Sequence, residues 1–137
     1  MKWFDRKFDF TFPAEQLPNL VVRLQGTPAR LEEMLRVVSP AALLEKPEGK
    51  WSAQEHAGHL LDLESLWQTR LEDFIADRQT LTAADLTNRQ TDEAAHNIRP
   101  LAELLAAFRA ARRHLIDSVE TLPPAAFSRT IPHPRLQ

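Results

Sequence analysis

Apolar residues recur along most of this chain at the three- and four-residue steps of a helix. Leu17, Leu20, Val21, Leu24, Leu31, Met34, Leu35 and Val38 form one such stripe, and it runs straight through Gly26-Thr27-Pro28. The spacing predicts one long helix bent there. The alternative is two helices, with Thr27 as N-cap and Pro28 at the first helical position. Ser39-Pro40, Pro47 and Gly49 mark the connection that follows. Ser52 with Glu55 three residues later is a capping box, which predicts a second helix from about Ala53 to the region of Ala76 to Arg78. Its apolar stripe is Leu60, Leu63, Leu66, Trp67, Leu71 and Phe74. From Gln79 to Arg99 the chain turns polar, with one short helix expected around Asp92 to Ala95; connections this long in a compact domain are usually functional. Pro100 opens a third helix that stops at Leu122, before Pro123-Pro124, with Leu101, Leu104, Leu105, Phe108, Leu115, Val119 and Leu122 on one face. Ahead of all three, Phe4, Phe8, Phe10 and Phe12 mark an extended or irregular arm that should pack over the core.

Composition narrows the class. With 137 residues the chain is one domain, and three glycines, no tyrosine and 43% apolar residues suit an all-α fold. Seventeen Lys plus Arg against nineteen Asp plus Glu give a net charge of -2, which is not the footprint of a nucleic-acid binder. Absence of cysteine excludes disulfides, a thiolate nucleophile and any Cys-based metal site, and suits a reducing, cytoplasmic compartment. No apolar run approaches the ~20 residues of a membrane span, so neither membrane nor nucleic acid is an expected partner. Ser52 is committed to a cap, the other serines lie in no nucleophile elbow, and a glycine-rich phosphate loop cannot be built. Trp51, just before the cap, reads as a hydrophobic staple.

One stretch carries candidate chemistry. Projected at about 100° per residue, the second helix puts His56 in the middle of the leucine arc and His59 at its edge, with Glu55 and Asp62 beside His59. A functional reading makes His59 a metal ligand or proton-transfer group, with Asp62 or Glu55 orienting its other ring nitrogen. The plain reading makes it a buried imidazole bonded to a neighbouring helix. Spacing favours the latter, because His-x-x-His is not the i, i+4 pair of zinc helices and a metal needs about three protein ligands. His114 projects to the polar side of the third helix, His96 lies in the loop before that helix, and His133 sits between two prolines.

Residues 49 to 64, GKWSAQEHAGHLLDLE, resemble the second-helix signature of the DinB-like superfamily: a Trp-Ser cap, a Glu, then a His followed by Leu. FDFTFP at 8 to 13, GTPARLEE at 26 to 33, ADLTNRQTDEAAHN at 84 to 97, FRAAR at 108 to 112 and HPRL at 133 to 136 resemble one bacterial branch of it. The resemblance implies an up-down four-helix bundle, often a homodimer, and in metal-bearing members a nickel or zinc ion held by three histidines. It implies chemistry in which that divalent metal acts as a Lewis acid on a small-molecule thiol or a water, as in a thiol transferase or a hydrolase. Carried over by position, the first ligand is His59, and His96 and Asn97 match positions near the pocket. The family's other two ligands form an H-x-x-x-H pair on a fourth helix, whereas this sequence ends at Gln137 in a proline-punctuated loop. The natural chain is therefore expected to continue through roughly 20 to 30 residues of amphipathic helix bearing two histidines four apart. Three amphipathic helices without a fourth leave an apolar groove, and self-association is expected. The competing expectation is a metal-free bundle acting as a dimeric binding or interaction module.

Overall fold

The computed structural model describes residues 12–135, so Phe4, Phe8 and Phe10 of the aromatic arm lie outside the described residues. Five helices follow in order: α1 Leu17–Arg36, α2 Pro40–Leu44, α3 Ala53–Ile75, α4 Arg89–Glu93 and α5 Leu101–Glu120. Short 3-10 turns punctuate them at Ala14–Gln16, Pro47–Gly49, His96–Ile98 and Pro124–Ser128. Among the described residues there is no strand. The architecture is an all-α bundle in which α3 packs chiefly on α5, and α1 packs on the same α5.

α1 is a single helix with Pro28 inside it. Proline has no N–H to give the carbonyl four residues back. That freed carbonyl, Leu24 O, instead receives Arg112 Nη1 from α5 at 3.5 Å, while the Thr27 hydroxyl and Arg30 both donate to Arg23 O. The core knits the helices together: Leu35 from α1, Leu43 from α2, Ala57 from α3 and Leu104 from α5 form one buried cluster. Phe108, also on α5, is wholly buried, which contributes about 1.5 to 3 kcal/mol relative to an exposed ring.

α3 begins where the capping box predicts. The Ser52 hydroxyl accepts from the Glu55 N–H and the Glu55 carboxylate accepts from the Ser52 N–H. Its buried face differs from the predicted one. Gln54, Ala57, Gly58 and Glu64 are the buried positions, whereas Leu60, Leu63, Leu66, Leu71 and Phe74 are half-buried, Trp67 is exposed, and so is His56. Two small residues and a buried ion pair turn this face toward α5 and the 96–98 turn, so the leucines lie beside the contact rather than in its centre. On α5, Leu104, Phe108, Arg112, Leu115 and Ile116 are buried at helical spacing, and His114 is exposed as expected. Glu64 meets Arg112 in a two-pronged pair, with Arg112 Nε at 2.9 Å from Oε2 and Nη2 at 2.5 Å from Oε1.

Beyond α5 the chain turns back along the far end of α3. Arg129 donates to Phe74 O (2.9 Å) and Asp77 Oδ1 (2.6 Å), while the Leu81 N–H donates to Pro132 O. His133, whose place the sequence does not fix, accepts from the Arg135 N–H.

Candidate functional site

The start of α3 and the connector from Gln79 to Arg99 build one polar assembly. Gln54, fully inside, donates to two carbonyls of the connector, His96 O (2.7 Å) and Arg99 O (2.8 Å). The Ser52 hydroxyl donates to Asn97 Oδ1 at 2.7 Å. These bonds fasten the 96–98 turn onto the first turn of α3. Ala95, just before it, holds a left-handed φ of 50°, a conformation that costs an ordinary side chain about 1 kcal/mol and here swings His96 inward. The His96 ring lies against Gly58: a Cβ there would come within 2.2 Å of Cγ and Cδ2. Glycine inside a helix is unfavourable by about 1 kcal/mol relative to alanine, and this close approach is its reason.

His96 is 1% exposed, and its Nε2 stands 2.9 Å from Asp62 Oδ2. The same carboxylate oxygen accepts from the Thr91 hydroxyl at 2.8 Å, and Thr91 Oγ1 lies 2.9 Å from His59 Nδ1. Asp62 is therefore joined to His59 by hydrogen bonds through Thr91 rather than by a bond of its own. Glu55, the other carboxylate expected beside His59, is engaged elsewhere: it closes the capping box and pairs with Lys46 at 2.7 Å. Asn97 serves the cap, behind the His59 face.

His59 and Asp62 line a cleft of about 270 Å³ between α3 and the connector. Ser65 and Thr69 continue its α3 wall, and Asp85, Asn88, Gln90 and Thr91 of the long connector form the facing one. Burial pushes the His59 imidazole below its ordinary value of 6.5, with Asp62 pulling the other way and His56 and His96 adding to the lowering. At neutral pH the ring is uncharged and has a lone pair to offer. Trp51 lies against it, with ring centroids 4.9 Å apart, and also meets His56 edge-on at 5.4 Å. Trp51 thus packs on the first turns of α3 as expected, but against two imidazoles rather than an apolar side chain, and its Nε1–H donates to Asp92 Oδ1 at 2.8 Å, which ties α4 to the rim of the site.

Comparison with known proteins places the chain in a family and a fold. The sequence pattern of the DinB superfamily matches residues 23–137. This chain belongs to the DinB superfamily. No curated protein matches it in sequence. Among solved structures, the DinB-superfamily chain is similar to YfiT from Bacillus subtilis, described as a probable metal-dependent hydrolase with an unusual four-helix bundle topology. The TM-score is 0.77 at 19% identity, over 94% of this chain and 74% of that one, a likeness of fold.

A protein-bound metal needs about three donors on one cleft. Among the described residues no group of three or more His, Cys, Asp or Glu side chains could hold an ion. His96 turns Nε2 to Asp62, and its Nδ1 is buried without a partner. His59 alone offers an imidazole nitrogen at the cleft. Among the described residues the cleft thus has one imidazole donor, His59, with the carboxylates of Asp62 and Asp85 on its walls, and no three of its side chains close a metal site.

Two residues at the heart of this assembly, Gly58 and Thr91, were not singled out by sequence reasoning. Gly58 did leave a signal, since a glycine between two histidines in mid-helix asks for a packing reason. Thr91 left none.

Proposed function

We propose that this DinB-superfamily protein acts on a small molecule in the cleft between α3 and the connector, as a metal-dependent enzyme of the hydrolase or thiol-transferase type. The observation that carries the reading is His59, an uncharged, half-buried imidazole on the cleft wall with one nitrogen engaged and the other open. Such a nitrogen is the donor a divalent metal takes. The likeness to YfiT supports metal dependence as a class. Ser65, Thr69, Asn88 and Gln90 offer hydroxyls and amides to the polar groups of a substrate. Trp51 shields one side of the His59 ring from water. The imidazole that the described residues would offer such a metal is that of His59.

A second reading has its own observation. A metal-free binding module fits the polar lining of the cleft, where Ser65, Thr69, Asn88 and Gln90 offer hydroxyls and amides to a bound molecule. The two readings part on one experiment: the melting temperature of the protein with and without zinc or nickel, in wild type and in His59→Ala. A metal that binds only the folded state raises stability by mass action. A rise in wild type that vanishes in His59→Ala supports the metalloenzyme; no rise in either moves the assignment to the binding module.

A further inference from the structure

The bonds behind His59 fix where its proton sits. Asp62 Oδ2 faces two donors, Thr91 Oγ1 at 2.8 Å and His96 Nε2 at 2.9 Å. An ionised carboxylate only accepts, so both must give it a proton. The Thr91 hydroxyl has a single proton, and once that points to Asp62 its oxygen can only accept from His59 Nδ1, 2.9 Å away. We infer that Thr91 is a positioning residue that holds His59 in the Nδ1–H tautomer and leaves the lone pair on Nε2, the ring nitrogen without a partner among the described residues. This rests on reading the cleft as the working site and names the residue that prepares it.

Three features keep the relay from reversing. Thr91 is 3% exposed, so water does not compete for its hydroxyl. His96 is pinned between Gly58 and Asp62 and cannot withdraw its N–H. The sequence of bonds from His59 through Thr91 to a carboxylate is charge-assisted at its end, and each bond polarises the next. A free imidazole in water prefers its proton on Nε2; the relay opposes that preference. Thr91 belongs to α4 and His96 to the turn after it, so the tautomer of a residue on α3 depends on the docked connector.

Long-range proton–nitrogen NMR spectra of the metal-free, full chain at neutral pH read the tautomer directly from the two ring-nitrogen shifts. His59 should show a protonated Nδ1 and a bare Nε2. Thr91→Val, which keeps the shape but not the hydroxyl, should move His59 toward the Nε2–H form, and Thr91→Ser should restore the wild-type pattern. A protonated Nε2 in the wild type would overturn the inference whether or not any variant folds. So would a folded Thr91→Val with an unchanged His59 spectrum. The metal-free spectra test this inference alone, whereas the melting experiment with zinc or nickel tests the metalloenzyme reading, so either can fail while the other stands.

Discussion

Helix α3 carries two buried polar clusters about one turn apart, and they are finished differently. In the Glu64–Arg112 pair both carboxylate oxygens are bonded to the guanidinium, which also reaches Leu24 O, so the cluster ties together α1, α3 and α5 and closes on itself. In the His59–Thr91–Asp62–His96 chain every member is bonded too, but two ring nitrogens have no bond among the described residues: His96 Nδ1, which is buried, and His59 Nε2, on the ring that lines the cleft. Burial and charge do not separate structure from chemistry here. The loose end does. A closed cluster has nothing left to offer a ligand; an open one presents a lone pair whose direction has been set by the groups behind it.

Breaking the closed pair should have the largest effect. Arg112→Met leaves Glu64 buried without its cation, and removal of one partner from such a pair costs about 3 to 5 kcal/mol. Urea denaturation should show that loss, and the double variant Glu64→Leu/Arg112→Met should recover most of it. A near-neutral Arg112→Met would show that the pair is not what holds the helices together. Next comes the support of the open cluster. Gly58→Ala drives a Cβ into the His96 ring, and overpacking of this kind costs about 1 to 3 kcal/mol. The same change should free the Asp62 carboxylate, seen as an altered His96 side-chain signal; an unaltered one would mean the close approach relaxes elsewhere. Ser52→Ala removes both the cap of α3 and the bond to Asn97, with an expected loss of about 1 to 2 kcal/mol in thermal unfolding.

The smallest effect sharpens the contrast by pH. The folded-state value of His59 is lowered by burial, so its neutral form is favoured in the folded protein. Its contribution is fully present above the ordinary value of 6.5 and is lost as pH falls from there through the lowered value. His133, lowered by burial and by the nearby Arg70 and Arg135, acts in the same direction. Stability should therefore decline below about pH 6.5, and His59→Gln should flatten the decline without abolishing it. A steeper decline in the variant would contradict the direction of the shift.

What the sequence made legible was local. The start of α3 follows from Ser52 and Glu55, three residues apart, and the course of α5 from an apolar repeat that its own helix satisfies. His59 at the edge of the apolar arc, with Asp62 near it, was readable for the same reason. Pairings across the bundle were not. Glu64 and Arg112 lie 48 residues apart, and in the sequence each looks like a surface charge. Thr91 and His59 meet across 32 residues because the connector folds back, held by Gln54 and by a left-handed Ala95 that no pattern announces. The misplacement of His56 has the same root: leucines pointed to one face, while Gly58, Ala57 and Glu64 made the contact on another.

In our proposal the open cluster around His59 is the working wall of the site. Zinc titrated into nitrogen-15-labelled protein, with the side chains of all five histidines followed together, tests it most directly. The Nε2 signal of His59 should shift ahead of the exposed imidazoles of His56 and His114, while buried His96 holds its wild-type pattern. A titration in which His56 and His114 respond and His59 does not would contradict the account.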